Sequence, residues 1–182
     1  FPLLNLRQCR ALHLDGHQPD ASMHYAKLCN EAGLMTSLDG GGLRTNTHEL
    51  LEYIDVAIVA ERLCEQMKLS PTEMLEYLKS RGCKIGGVTE GERGMLWYDE
   101  TGTVSRLPAL PVPKSRIVDT SGAGDVYHGA YMASWLMRPQ LLWREHFHFA
   151  RAAASHKIQY LGNEAGLPNQ ADVAKVLAEF CP

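Results

Sequence analysis

Hydrophobic positions fall into two recurring patterns along this chain. Short, nearly continuous apolar runs are typical of strands buried on both faces, and longer stretches with apolar residues at helical spacing follow them. Strands that alternate with helices predict an α/β fold built on a mostly parallel sheet. The predicted strands span 11–14, 34–38, 56–59 and 84–89, and a hairpin of 95–98 and 103–107 follows them. The predicted helices span 19–32, 47–53, 60–67, 71–81, 126–137, 141–160 and 171–180.

One helix start carries an explicit signal. Ser70 can cap the helix, Pro71 suits the first helical position, and Glu73 completes a capping box. Glycines that stop helices stand at positions 33 and 82. The chain has no repeat, no low-complexity stretch and no clear domain boundary, so residues 1–182 are predicted to form a single α/β domain.

Composition excludes several classes of protein. The 182 residues are 45% hydrophobic and 21% charged, which is ordinary for a globular protein with a sizeable core. The net charge of −3 and the scattered arginines argue against nucleic acid or an acidic membrane surface as a partner. No apolar run is long enough to span a bilayer, and the N-terminus lacks the pattern of a signal peptide. Because the chain lacks an initiator Met, we expect a processed or partial product.

The five cysteines are odd in number and widely spaced, with no Cys-x-x-Cys pair. That pattern argues against a disulfide framework and a zinc site, and it favours a reducing, cytoplasmic compartment. We expect all five thiols to be buried or half-buried. The eight histidines form no ligand set, and His146 and His148 fall on different faces of a predicted helix.

The candidate chemistry lies in residues 119–125, which read Asp-Thr-Ser-Gly-Ala-Gly-Asp just before the apolar helix 126–137. Asp119 and Thr120 can bend the chain and cap that helix. Three small residues come next, which are Gly122, Ala123 and Gly124. Because they have little or no side chain, backbone N–H groups there could approach an anion closely.

Asp125 would stand in the first turn of the helix, beside that anion hole. An anion hole with a neighbouring carboxylate suits phosphoryl transfer to a hydroxyl, because the N–H groups hold the developing charge and the carboxylate takes the hydroxyl proton. The alternative is a tight strand-to-helix turn without chemistry. A mere turn, however, does not need a second acid placed after the small residues.

Residues 119–129, Asp-Thr-Ser-Gly-Ala-Gly-Asp-Val-Tyr-His-Gly, closely resemble the C-terminal signature of the ribokinase-like (PfkB) carbohydrate kinases. That signature usually has Phe where Tyr127 stands. The resemblance implies a three-layer αβα ribokinase-like fold with a mostly parallel sheet. It also implies that Asp125 is the catalytic base and that the three small residues before it form the anion hole.

A second stretch, residues 89–94, reads Thr-Glu-Gly-Glu-Arg-Gly after a predicted strand. A glycine-containing turn at the end of a parallel strand is a common place to receive a nucleotide. Relatives in the family carry Thr-x-Gly-x-x-Gly here and contact the nucleotide phosphates with it, and Thr89, Gly91 and Gly94 match that pattern. The alternative is a simple turn into the hairpin.

Small residues at 150–155 would leave room on a helix for an adenine ring, as in relatives, with Ala153 against the nucleotide. Close packing of that helix against a neighbour explains the same composition equally well. The resemblance therefore implies that ATP is the phosphate donor and that Mg²⁺ bridges its phosphates.

Two cation sites follow from the resemblance. Many relatives bind a monovalent cation, usually K⁺, at positions that match Asp119 and Ser121, and helix capping by both side chains is the alternative. The family's usual magnesium motif, Asn-x-x-Glu, is absent, because residues 59–62 read Val-Ala-Glu-Arg. Glu61 is a candidate for assisting the water around Mg²⁺, and an exposed glutamate at a helix start is the alternative. This departure leans the resemblance toward ketohexokinase and sulfofructose kinase types rather than ribokinase proper.

The resemblance covers nearly all of this chain as the C-terminal part of longer relatives. In those relatives the first strands of the sheet, most sugar-binding residues and a small β lid precede this region, and the lid often mediates a homodimer. We therefore predict an ATP-dependent kinase that acts on a hydroxyl of a sugar or sugar-like small molecule. The first alternative is a non-catalytic nucleotide-binding fragment or partner subunit of such a kinase. A dinucleotide-binding oxidoreductase is weaker, since no Gly-x-Gly-x-x-Gly follows a first strand.

Overall fold

A computed structural model describes residues 1–2 and 5–181, and these residues group into two compact units. The first, called the sheet unit, comprises Phe1–Gly91 and Met95–Leu107. The second, called the helical unit, comprises Glu92–Gly94 and the residues from Pro108 onward. Each unit contains its own cluster of buried apolar side chains. That residues 1–182 form a single domain stays a prediction.

The sheet unit holds a six-stranded sheet whose strands lie in chain order. Its strands are β1 (Ala11–Leu14), β2 (Met35–Gly40), β3 (Val56–Ala60), β4 (Ile85–Thr89), β5 (Met95–Tyr98) and β6 (Val104–Leu107). The first four strands run parallel, and β5 and β6 continue the sheet antiparallel as the predicted hairpin. The mostly parallel sheet is therefore confirmed. β1 lies at an edge of the sheet, where β2 is its strand partner.

The described residues of the sheet unit form four α-helices, which are α1 (Pro19–Glu31), α2 (Thr47–Leu50), α3 (Glu61–Met67) and α4 (Pro71–Ser80). The capping box at α4 is confirmed, since the Glu73 amide donates to Ser70 Oγ at 3.3 Å and the Ser70 amide donates to Glu73 Oε2 at 2.7 Å. The continuous apolar run of β3 is buried from Val56 to Val59 and packs into the core with side chains from the helices. Burial on both faces is what parallel strands between helices require.

Within the described part of the helical unit there are three α-helices, α5 (Ala123–Met137), α6 (Trp143–Lys157) and α7 (Gln170–Phe180). α6 packs against both α5 and α7. Aromatic rings fill the contact between α5 and α6, where Tyr127 stacks on Phe147 with ring centroids 6.3 Å apart. Tyr at the position where the family usually has Phe therefore keeps an aromatic ring in this core. Within the described residues, none of the helices has both the length and the apolar character that crossing a bilayer demands.

Element boundaries differ from the predictions at a few ends. β2 continues to Gly40 because Asp39 and Gly40 still pair with Ile58 and Val59 of β3. α6 is shorter than the predicted 141–160, since Leu142 is its N-cap and Ile158 its C-cap. Turn residues at these ends have apolar neighbours, and the hydrophobic pattern alone does not separate them from the helix.

The cysteines make no disulfide, as predicted. Cys29, Cys64 and Cys83 are buried and Cys9 is half-buried, but Cys181 is exposed, which corrects the expectation for that thiol. Burial raises the pKa of the Cys83 thiol to about 12 and that of Cys64 to about 11. The two thiols are therefore protonated at neutral pH and pack as small apolar groups.

Candidate active site

The loop that leads into α5 is organised around the carboxylate of Asp119. Its Oδ1 accepts a hydrogen bond from the Ser121 amide at 2.9 Å. Its Oδ2 accepts from the Gly162 amide at 3.0 Å and from Nζ of Lys157 at 3.1 Å. These donors, the Ser121 amide first, hold the pKa of the Asp119 carboxyl well below its usual range. Asp119 is therefore ionised and bends the chain, as the sequence predicted.

The N-cap of α5 is Gly122, and no side chain caps the helix. The prediction that Asp119 and Thr120 cap it is wrong, and so is the alternative in which Ser121 does. The carboxylate of Asp119 is already engaged within its own loop, and Thr120 contributes its carbonyl, which accepts from the Ala123 amide at 3.2 Å. A helix that begins without a side-chain cap leaves its first amides to other partners.

Two amides at the start of α5 are available to a ligand. In the part of the chain that the structure describes, the backbone N–H groups of Gly124 and Asp125 donate no hydrogen bond, and both residues are exposed. The Ala123 amide is engaged with Thr120. The aligned peptide dipoles of α5 place partial positive charge at this end of the helix. The start of α5 can therefore receive an anion through Gly124 and Asp125.

Gly122 is fixed by its own conformation and by a neighbour. Its φ is 74°, in the left-handed region, and a Cβ atom there would lie 2.4 Å from Oδ1 of Asn163. Sequence reasoning missed Asn163 because the contact joins two loops that are distant along the chain. The Gly-Asn pair at 162–163 predicts a turn, but nothing in the sequence indicates that this turn lies next to Gly122.

Asp125 is in the first turn of α5, as predicted, and its side chain is exposed. Among residues 1–2 and 5–181, none makes a hydrogen bond or an ion pair with its carboxylate. The next residues along the helix turn inward, because Tyr127 and His128 are buried and His128 Nδ1 lies 3.2 Å from the Tyr131 hydroxyl. A structural role for His128 fits this position, and Asp125 is left to face a substrate.

The second candidate stretch begins in the sheet unit. Thr89 is the last residue of β4, and its hydroxyl donates to the carbonyl of Val59 at 3.4 Å. Gly91 has a φ of 59° and begins a short 3-10 helix. Gly94, which belongs to the helical unit, has a φ of 91°. The glycines of the motif thus stand where the backbone takes conformations that other residues rarely adopt.

Glu90 is a residue of this stretch that sequence reasoning left without a role. Its side chain is 6% exposed, and its Oε2 lies 2.5 Å from Nη1 of Arg106 on β6. The ion pair neutralises a buried carboxylate and ties the end of β4 to β6. An acid inside the motif was visible in the sequence, but its partner depends on the hairpin register.

Glu61 is the residue that the sequence analysis predicts to assist the water around Mg²⁺. Glu61 is the first residue of α3 and is half-buried, so it is not the exposed glutamate of the alternative. The described residues hold no group of three or more His, Cys, Asp or Glu side chains arranged around a metal. Mg²⁺ in nucleotide sites usually takes one or two protein carboxylates, with phosphates and water as the other ligands. One half-buried carboxylate fits that supporting role, and the assignment stays a prediction.

A monovalent metal cation does not fit at Asp119. The carbonyl oxygen and Oδ2 of Asp119 both lie 3.1 Å from Nζ of Lys157, which already brings a positive charge to these oxygens. Ser121 contributes its amide to Oδ1 of the same carboxylate. Two of the Asp119 oxygens expected near K⁺ are therefore occupied by an ammonium group of the chain itself.

Ala153 is 1% exposed and packs in a cluster with Leu110, Ala152, Val173 and Val176. This environment supports close helix packing, the alternative explanation for the small residues of α6. Its role as a nucleotide contact stays a prediction.

The family model of the pfkB family carbohydrate kinases matches residues 4–170, which is most of the chain. This chain belongs to the pfkB family. A ribokinase of Lactococcus lactis is 26% identical over 161 residues, with 88% of this chain and 51% of the relative covered. A cytidine kinase of Thermococcus kodakarensis is 31% identical over 91 residues, with 48% of this chain and 31% of the relative covered.

Solved structures confirm the fold class. The structure of Arabidopsis thaliana ribokinase complexed with ribose and ATP matches with a TM-score of 0.81 and 25% identity, covering 94% of this chain and 57% of that chain. The three-layer α/β ribokinase-like fold of this pfkB family chain is therefore confirmed. The chain spans about half the length of the curated relatives it matches. That the chain is more similar to ketohexokinase and sulfofructose kinase types than to ribokinase proper stays a prediction.

Proposed function

We propose that this protein transfers the γ-phosphoryl group of ATP to a hydroxyl of a sugar or sugar-like small molecule. The observation that carries the proposal is the start of α5, where an unpaired Asp125 carboxylate accompanies two unpaired amides. Membership of the pfkB family supports the reaction class. The Arabidopsis ribokinase solved with ribose and ATP supports the donor and the acceptor class.

In the proposed reaction Asp125 acts as the general base. Its carboxylate takes the proton of the acceptor hydroxyl, whose oxygen forms a bond to the γ-phosphorus. The bond between that phosphorus and the bridging oxygen breaks, and ADP leaves with the electron pair. The amides of Gly124 and Asp125 stabilise the charge on the transferred group, together with the N-terminal dipole of α5. We infer that the left-handed conformation of Gly122, the N-cap of α5, orients these amides.

Nucleotide contacts complete the proposal. The Thr-x-Gly-x-x-Gly pattern assigns the phosphates to Thr89, Gly91 and Gly94, and the two positive-φ glycines support a backbone shaped for close approach. The proposed neighbour of the adenine ring is Ala153 on α6. When bound, Mg²⁺ would neutralise phosphate charge, with Glu61 as the candidate protein support.

The acceptor is proposed only as a class. The relatives include a ribokinase and a cytidine kinase, so both sugars and nucleosides belong in the test. Nucleic acid is not a proposed partner, whereas a homodimer, which the family resemblance implies, is.

A second function is a non-catalytic nucleotide-binding chain or partner subunit derived from such a kinase. The observation that favours it is the missing Asn-x-x-Glu motif, which leaves Glu61 as the single candidate support for magnesium at that place. In this case ATP would bind without acceptor-dependent release of ADP.

The test measures ADP release from ATP and Mg²⁺ across sugars, sugar phosphates and nucleosides, on protein of full coding length. Asp125→Asn is expected to lower turnover by about 10²–10⁴-fold, because the general base is lost, while ATP affinity changes little. Asp20→Asn, which alters an exposed acid in the first turn of α1, is the matched control and should keep normal turnover. Near-normal turnover in Asp125→Asn would reject the assigned base. ATP binding without ADP release from any acceptor would favour the non-catalytic alternative.

A further inference from the structure

Lys157 is a buried cation beside the proposed anion hole. It is the last residue of α6, and its side chain is 0% exposed. Its Nζ lies 3.1 Å from the carbonyl oxygen of Asp119 and 3.1 Å from Oδ2 of the same residue. A lysine is almost never fully buried unless it is paired, because an unpaired ammonium loses its hydration. The pairing with two oxygens of one residue is therefore a built site for a positive charge.

The loop after α6 closes around this site. The Gly162 amide donates to the Asp119 Oδ2 that Lys157 also contacts. Gly166 is buried so closely against Lys157 that a Cβ atom there would lie 3.1 Å from Cγ of the lysine. The stem of Lys157 is thus packed by backbone, and its ammonium is directed at Asp119.

The two oxygens that hold the ammonium belong to the residue that the family resemblance marks as a ligand of K⁺. A metal cation bound to the same oxygens would lie next to Nζ of Lys157 and be repelled by it. One positive charge satisfies the site, and Lys157 supplies it.

We propose that the ammonium of Lys157 takes the place of a monovalent metal cation, so that phosphoryl transfer by this protein does not require K⁺. The inference rests on the proposed kinase function. Lys157 is a positioning residue: it fixes Asp119, whose carboxylate in turn receives the Ser121 amide and holds the bend that begins α5. Through that bend it orients the amides of Gly124 and Asp125, and it adds a fixed positive charge near the phosphoryl site.

The activity test varies the cation at constant ionic strength. ADP release by the full-length protein is compared in choline chloride, NaCl and KCl at about 100 mM each, where screening is equal. Wild-type turnover is expected to be the same in all three salts. Lys157→Ala removes the ammonium and opens space beside Asp119, so turnover in choline chloride should fall by about 10²-fold through loss of alignment. KCl should restore much of it, because K⁺ can then occupy the vacated place.

Three further variants separate charge from packing. Lys157→Met keeps the stem without the charge and fills the space, so it should lose turnover and not recover in KCl. Lys157→Arg keeps the charge and should stay indifferent to the salt. Lys175→Ala removes an exposed lysine of α7 and should behave as wild type in every salt. Wild-type turnover that rises strongly with K⁺, or full activity of Lys157→Ala in choline chloride, would overturn the inference.

A binding readout keeps the inference testable if no acceptor is phosphorylated. Thermal unfolding of wild type should have the same midpoint in KCl and in choline chloride. The midpoint of Lys157→Ala should be lower in choline chloride and rise in KCl, whereas Lys157→Met should show no such rise. A K⁺-specific rise for wild type would overturn the inference whether or not the protein is a kinase. Failure of ADP release in all salts, with these melting results intact, would reject the kinase function alone.

Discussion

Gly122 lies so close to Asn163 that a side chain at position 122 would displace the Asn163 amide group. A Cβ atom on Gly122 would lie 2.4 Å from Oδ1 and 3.0 Å from Cγ of Asn163. This approach brings the N-cap of α5 next to the loop that follows α6. The positive φ therefore favours glycine at this cap, and any other residue would also have to move the Asn163 side chain.

Gly122→Ala is expected to damage both stability and turnover. The left-handed φ strains alanine, and Asn163 must move, so we expect a loss of about 1–3 kcal/mol in the free energy of unfolding. Because the Gly124 and Asp125 amides would shift with the cap, turnover should fall more than the fraction of folded protein does. Urea denaturation and ADP release measure the two effects.

Gly129→Ala is the matched control for this variant. Gly129 is exposed within the same helix, and a Cβ atom there would meet nothing within 4 Å. Alanine in a helix interior is favoured over glycine by about 0.5–1 kcal/mol, so this variant should be slightly more stable and fully active. Equal behaviour of the two variants would mean that the cap geometry at Gly122 has no special role.

The stability contributed by Asp119 should depend on pH in a defined direction. Hydrogen bonds from Ser121, Gly162 and Lys157 hold the pKa of the Asp119 carboxyl below its usual range in the folded state. The unfolded chain therefore takes up the proton first as the pH falls. Wild type should melt at a higher temperature than Asp119→Asn, and this difference should stay constant from neutral pH down to about pH 5. The difference should shrink below about pH 4, the ordinary range of an aspartate in the unfolded chain.

Melting curves of wild type and Asp119→Asn across that pH range check this expectation. A difference that is absent at neutral pH, or one that persists unchanged through acid, would show that the carboxylate is not held by these donors. The same variant also removes a charge partner of the buried Lys157, so its melting temperature at neutral pH should be clearly lower than that of wild type.

Ala153→Val distinguishes packing from nucleotide contact on α6. If the buried Ala153 serves packing, the two added methyl groups overfill its cluster and should lower the free energy of unfolding by about 1–3 kcal/mol. The KM for ATP would then stay near the wild-type value. Ala154→Val, at the neighbouring half-buried position, controls for the lower helix propensity of valine. A raised KM with unchanged stability would instead support the adenine contact.

Local patterns were enough to predict most of the secondary structure. The apolar run at 56–59 became a buried parallel strand, and the Ser70 capping box formed as written in the sequence. The motif at 119–125 also placed Asp125 in the first turn of a helix. These features depend on neighbours along the chain, which a single sequence shows directly.

Contacts between distant segments set the parts of the site that could not be predicted. Asp119 was expected to cap α5, but its carboxylate instead accepts from Lys157 and Gly162. Lys157 ends α6, and Gly162 lies in the loop after it, so both donors are distant from Asp119 along the chain. Arg106 reaches Glu90 only because the hairpin returns β6 beside β5. Neither partner is marked by a local pattern, since a lysine at a helix end and an arginine on a strand usually lie at the surface.

The position of β1 at the edge of the sheet has a consequence for handling the protein. One side of this strand pairs with β2, while an edge strand presents backbone N–H and C=O groups on its other side. Such a row accepts a further strand, whether from a longer version of the same polypeptide or from another molecule. Left exposed, this row favours strand-to-strand association between molecules, and a segment that pairs with β1 would protect the protein from it.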